Sequence, residues 1–185
     1  QDVGKIDFVV HALAFSDKEE LKGRYLETSR TNFLNTLDIS AYSFTRVSRS
    51  ASQLMQNGGS LLTLTYLGSN RTTPNYNVMG VAKAALETSV KYLSADLGKR
   101  NIRVNAISAG PMKTLAGAAI SGARHVYRYS EKIAPLNENP NLEQVGNAAL
   151  YLLSDISSGV TGLTHYVDGG LRVVGIPDQN KVDTL

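Results

Sequence analysis

Strands of buried character alternating with amphipathic helices predict an α/β protein built on a doubly wound parallel sheet with helices on both faces. Three observations carry that reading. Short apolar runs rich in β-branched residues recur at 6–14, 60–66, 102–108 and 164–167. Runs of that length and continuity fit strands covered on both sides. Between them lie stretches whose apolar residues fall three or four apart, the period of a helix packed on one face. The resulting order, β-α-β-α-β-(α)-α-β, calls for right-handed crossovers and parallel pairing.

The elements follow in order. IDFVVHALA at 6–14 is expected as the first strand, buried on both faces, and 15–28 as a polar loop. From Ser29 a long helix is expected on Phe33, Leu37, Tyr42, Phe44, Val47, Ala51 and Leu54. Asn57-Gly58-Gly59 stops it. Ser60 to Tyr66 is the second strand, 67–75 a loop. A second long helix then runs to about Leu97 on Val78, Ala82, Ala85, Leu86, Leu93 and Leu97, with Gly98 placed to end it. Ile102 to Ser108 is the third strand, broken by Ala109-Gly110-Pro111. Residues 115–134 read as helical, and their glycines and small residues predict mobility. Asn141 caps a further helix, with Gln144 at the capping-box position, ending near Ser154. Thr164 to Val167 forms the last strand and runs into Asp168-Gly169-Gly170.

Composition narrows the function. The 185 residues suit one domain, or a large piece of one. Nineteen basic against 16 acidic residues give a net charge of +3, and the basic ones are spread out, so no nucleic-acid partner is expected. No cysteine is present, which removes thiolate catalysis and Cys-based zinc sites. His11, His125 and His165 lie far apart, so no metal site is expected. No apolar run reaches the roughly 20 residues of a membrane helix; a soluble, cytoplasmic protein is expected. No G-x-G-x-x-G fingerprint occurs, and Gly58-Gly59 precedes a strand, where it cannot seat a pyrophosphate at a helix N-terminus. A Rossmann-like dinucleotide fold has about six strands, and four are readable. At roughly 30 residues per βα unit, some ~70 to 80 residues are expected ahead of Gln1. Residues 1–185 therefore read as the C-terminal two-thirds of a single Rossmann-like domain.

The chemistry concentrates in Tyr66-Leu-Gly-Ser-Asn-Arg-Thr-Thr-Pro-Asn-Tyr76-Asn-Val-Met-Gly-Val-Ala-Lys83. Tyr66 ends a strand, at the sheet edge where open α/β folds bind ligands. Tyr76 stands ahead of a helix, and Lys83 follows nearly two turns later on the same face. A phenol there can hydrogen-bond a carbonyl oxygen as negative charge develops on it. The lysine can hold a ribose and favour that charge.

LTYLGSNRTTPNYNVMGVAKAALE, RVNAISAGPMKTLA and YVDGG resemble the bacterial enoyl-acyl-carrier-protein reductases of the short-chain dehydrogenase/reductase superfamily, over about Ile6 to Gly170. Ordinary carbonyl-reducing members of that superfamily use Tyr-x3-Lys. Here the position four before Lys83 is Met79, without an acidic hydrogen, and the spacing is Tyr-x6-Lys. The resemblance implies reduction of a trans-2-enoyl thioester on acyl carrier protein by hydride from NADH, or NADPH. It casts Tyr66, Tyr76 and Lys83 as catalytic, Tyr76 on the thioester carbonyl and Lys83 on the nicotinamide ribose. Leu13, Ala109, Gly110, Pro111, Met112, Thr114 and Leu115 are the further cofactor contacts it implies, and Ala14, Ser16 and Tyr76 the substrate contacts. It also implies a mobile substrate lid at about 112–134, Arg124 and His125 facing the carrier protein, and a homotetramer. The alternatives are a carbonyl-reducing member of the superfamily and a non-catalytic nucleotide-binding scaffold.

Overall fold

The computed structural model describes residues 4–114, 117 and 121–182. Its centre is a four-stranded parallel sheet in sequential order: β1 (Phe8–His11), β2 (Gly59–Thr65), β3 (Ile102–Ala109) and β4 (Thr164–Val167). The helices are α1 (Arg30–Leu37), α2 (Ser43–Leu54), α3 (Asn77–Leu97), α4 (Ala123–Ile133), α5 (Leu142–Leu153) and the short α6 (Gln179–Val182).

Two layers of side chains cover the sheet. On one face Leu61, Val104 and Ala106 pack with Phe44 and Ala51 of α2 and Leu86 and Val90 of α3. On the other, Leu62 and Ile107 meet Val145 and Leu152 of α5. Successive strand residues thus alternate between two apolar cores, which is why β2 and β3 read as unbroken apolar runs. Asn105, buried within β3, donates to Val160 O at 3.0 Å and accepts from Leu163 N at 3.0 Å. That pair of bonds guides the chain into β4.

Three expectations are corrected. β1 spans four residues rather than 6–14, and it is not buried on both faces: Phe8 is 55% and Val10 46% exposed. Both pair with β2 positions, Ser60 and Leu62, on the face that α5 covers. α5 lies over β2, β3 and β4, so among the described residues β1 is an edge strand with one face open. The long helix from Ser29 is also interrupted. Ser29 caps α1 as expected, accepting from Asn32 N at 3.1 Å. A π-helical turn, Asp38–Tyr42, then separates α1 from α2. Its Ser40 binds Phe15 twice, accepting from the backbone N–H at 2.9 Å and donating to the carbonyl at 3.0 Å. α3 ends at Leu97 with Gly98 as its C-cap, as expected, and Asn101, at φ 56°, then reverses the chain. Thirdly, the helix expected at 115–134 is broken at Ser121 and Gly122, the latter at φ 78°, and α4 begins at Ala123; Gly117 is helical, and residues 115, 116 and 118–120 lie outside the described residues. The Asn141–Gln144 capping box is present in full.

Candidate active site

Parallel pairing brings the C-terminal ends of the strands to one edge. His11 pairs with Thr63, and Thr65 with Ser108. The segments after β1, β2 and β3, which hold most of the residues singled out above, therefore leave the sheet side by side.

β2 delivers Tyr66 in an extended conformation, and a 3-10 turn, Leu67–Ser69, follows. Tyr76 is the residue just before α3, itself buried with Leu21, Val78, Met79 and Ala82. The rings of Tyr66 and Tyr76 meet edge to face, centroids 5.1 Å apart, a geometry favoured by aromatic quadrupoles. Gly68 is required between them: a Cβ there would fall into the Tyr76 ring. Burial raises both phenols above their ordinary pKa, for Tyr66 against a hydrogen bond from Thr73, for Tyr76 with a further push from Tyr66 and Glu87. Both hydroxyls thus remain neutral donors near neutrality. Among the described residues none hydrogen-bonds the Tyr76 hydroxyl.

Lys83, 7% exposed, donates from Nζ to Leu64 O at 2.8 Å. Burial lowers its pKa to about 8, opposed by the Glu87 carboxylate. An ammonium has three donors, so two remain for a ligand. His11 closes the floor: Nε2 lies 2.8 Å from Ser43 Oγ and Nδ1 3.1 Å from Thr63 Oγ1. Ser43 Oγ also donates to Ile39 O at 2.6 Å and Thr63 Oγ1 to His11 O at 3.2 Å. Burial and then Lys83 lower the His11 pKa and favour a neutral ring.

Past β1, Leu13 (57% exposed) and Ala14 stand open at the edge. Ser16 does not: its hydroxyl accepts from Thr36 Oγ1 at 2.9 Å and donates to Asn32 Oδ1 at 3.3 Å, turned toward α1. At the end of β3 and beyond it, Ala109, Pro111, Met112 and Thr114 are partly buried. Gly110 is fully enclosed by protein, since a Cβ would lie 2.9 Å from Pro140 Cδ and 3.1 Å from Asp168 Cα. Leu115 lies outside the described residues. A cleft of about 370 Å³ opens above Tyr66, walled by Arg71 to Pro74, by His125, Tyr129 and Ile133 of α4, and by the segment from Leu171. Tyr76 lines a second hollow, of about 500 Å³, on the other side of the Gly68 turn.

The sequence reading passed over Ser43, Thr63, Asn70, Glu87 and Tyr166, which hold this edge together. The one signal for Glu87 was its place four residues after Lys83, on the same helical face. Asp168-Gly169-Gly170 is a structural turn. The buried Asp168 carboxylate accepts from the N–H groups of Gly170 and Arg172 at 2.9 and 3.0 Å.

Comparison with known proteins is consistent throughout. The family described as Enoyl-(Acyl carrier protein) reductase matches residues 1–172. Enoyl-[acyl-carrier-protein] reductase [NADH] 1 of Rhizobium meliloti (strain 1021) is 63% identical over 173 residues, 94% of this chain and 64% of the relative. Enoyl-[acyl-carrier-protein] reductase [NADH] FabI of Rickettsia conorii (strain ATCC VR-613 / Malish 7) is 58% identical, over 93% of this chain and 66% of its own. The chain thus spans just under two thirds of the length of these relatives. Two crystal structures of such reductases superpose with TM-scores of 0.92, covering 95% of this chain. One, from Anaplasma phagocytophilum in complex with NAD, is 57% identical and covered over 67% of its length. The other, from Bacillus cereus with NADP+ and an indole naphthyridinone, is 49% identical and covered over 68%. By sequence and by fold, the chain belongs to the enoyl-acyl-carrier-protein reductase family.

Proposed function

We propose that this chain carries the catalytic wall of a reductase that saturates the trans-2 double bond of an enoyl thioester borne by acyl carrier protein. One observation carries the reading. The rings of Tyr66 and Tyr76 meet edge to face at the sheet edge and Lys83 is buried on the helix that Tyr76 precedes, while the position four before that lysine holds the buried, proton-less Met79. The residues present fit a nicotinamide dinucleotide. Lys83 keeps unused donors, and Leu13 and Met112 offer apolar surface on either side of β2. NADH is the reading the Rhizobium and Rickettsia relatives support, with NADPH the alternative. Ala109 to Thr114 and Leu115 would line its site.

When bound, a reduced nicotinamide supplies hydride to the β-carbon of the substrate. The chain's own groups manage the charge that results. The Tyr76 hydroxyl, neutral and without a protein partner among the described residues, is free to donate to the thioester oxygen as it becomes an enolate. Lys83 adds positive charge beneath it. Tyr66 lines the cleft, and in this reading it would serve proton delivery toward the α-carbon. Ala14 and Tyr76 would border the acyl group; Ser16, its hydroxyl engaged by α1, would contribute only its backbone and Cβ. α4 forms the movable side of the cleft, within a lid at about 112–134, and its exposed Arg124 and His125 suit an acidic carrier protein. A cytoplasmic homotetramer is part of the same reading.

The test compares nicotinamide oxidation with crotonyl and acetoacetyl thioesters. It uses the chain as it stands and a fusion carrying the part of the Rhizobium relative that the match leaves uncovered. Preference for crotonyl, lost by about 100-fold or more in Tyr76→Phe, is the expected result. Turnover of acetoacetyl alone would reverse the assignment to carbonyl reduction. Binding without turnover of either would leave a scaffold.

A further inference from the structure

Glu87 has no part in the chemistry above, yet its carboxylate is committed to the turn that bears Tyr66. One oxygen accepts from Thr65 Oγ1 at 2.7 Å, the other from Asn70 Nδ2 at 3.3 Å. Thr65 immediately precedes Tyr66, and Asn70 closes the 3-10 turn that follows it. Both ends of the turn are therefore fastened to α3, one helical turn beyond Lys83. Hydrogen bonds to an ionised acceptor are roughly twice as strong as neutral ones. The fastening continues across the cleft. Asn70 Nδ2 also reaches the Tyr166 hydroxyl on β4 at 3.4 Å, and the Arg172 guanidinium lies over the Tyr166 ring at 4.2 Å. Arg172 lines the same cleft as Tyr66.

We propose that Glu87 is a positioning residue of this site: it locks the turn that carries Tyr66 and, through Asn70, joins that turn to Tyr166 and Arg172 on the opposite wall. The proposal rests on the reading of Tyr66 and Lys83 as working groups. It has an electrostatic side. The titratable groups that interact with Lys83 are Glu87, from α3 itself, and His11, from β1. Among them Glu87 is the anion, and it favours the charged lysine against burial. Removing that charge while keeping the side chain's size leaves burial unopposed.

The experiment is an NMR titration of the full chain with isotope-labelled lysine and tyrosine, which needs neither cofactor nor turnover. Glu87→Gln is expected to lower the Lys83 midpoint by about one pH unit and to shift or broaden the Tyr66 ring signals. Thr65→Val and Asn70→Ala keep the carboxylate. They should disturb the Tyr66 ring and leave the Lys83 midpoint in place. If Glu87→Gln lowers thermal stability alone, with Lys83 and Tyr66 as in the parent, Glu87 is a structural residue and the proposal falls. Should Glu87→Gln not fold, an undisturbed Tyr66 ring in both other variants overturns it equally. If the signals move as expected while crotonyl thioester is not reduced, the positioning holds and the functional reading is what fails.

Discussion

Lys83 is an ammonium enclosed by protein, and the fold carries the cost. Its pKa, down from 10.5 to about 8, corresponds to about 3 kcal/mol of differential interaction between charged and neutral forms. The sign follows from linkage. Below pH 8 folded and unfolded chains both bear the proton, so the penalty is fully present; it fades as pH rises from 8 to 10.5, where the unfolded chain alone stays protonated. Lys83→Met should therefore stabilise the fold at neutral pH, even as it removes the donor to Leu64 O and the ribose contact proposed above. Allowing about 1 kcal/mol for that hydrogen bond, the net gain expected is about 1 to 2 kcal/mol. Urea denaturation of both proteins across this range checks it: the gap should narrow above pH 8. A variant less stable than the parent at pH 7 would mean that Lys83 is held by more than it costs.

At the scale of elements, the site depends on how closely the turn after β2 rides on α3. Gly80 opens that contact, since a Cβ there would lie 2.6 Å from Gly68 O, and Gly68 in turn makes room for the Tyr76 ring. Gly68→Ala must push the Tyr76 ring or the turn aside. We expect a loss of about 1 to 3 kcal/mol, together with a fall in enoyl turnover like that of Tyr76→Phe. Unchanged stability and turnover would show that the ring has another place to go. This contact was not legible in the sequence, although its surroundings were. The α3 periodicity, the Asn141–Gln144 box and the apolar runs of β2 and β3 all express local rules, and the structure follows them. The π turn at Asp38–Tyr42 is different. In the apolar series of the first helix the step from Leu37 to Tyr42 is five residues, a break in period whose meaning depends on Ser40 meeting Phe15 across the chain. Likewise Tyr66, Tyr76 and Lys83 are legible from spacing, whereas Thr65, Asn70, Glu87 and Tyr166 converge only once β4 lies beside β3.

For residues 1–185 as a whole, the asymmetry between the two faces of the sheet sets behaviour in solution. The α2–α3 face is covered along β1, β2 and β3, with Val9 partly buried against the Phe44 core. On the α5 face, cover stops at β2, leaving Phe8 and Val10 exposed, with Leu13 and Phe15 exposed beyond the strand. A strand cannot signal this in its own sequence, because the burial of its faces is decided by elements elsewhere in the fold. An uncovered apolar strand at a sheet edge, offering unpaired backbone groups besides, is a template for association. Residues 1–185 by themselves are therefore expected to self-associate through β1 as their concentration rises. Val10→Lys places a charge on the open face without touching either core, and surface changes of that kind alter stability by about 0.5 kcal/mol or less. Sedimentation velocity should show the variant less associated than the parent at the same concentration, with the two denaturation midpoints alike. Equal association in both would place the contact elsewhere on the surface, the exposed face of α4 or α5 being next to test. A marked loss of stability would instead show that Val10 is covered in solution and that the α5 face extends further than the packing of α5 itself.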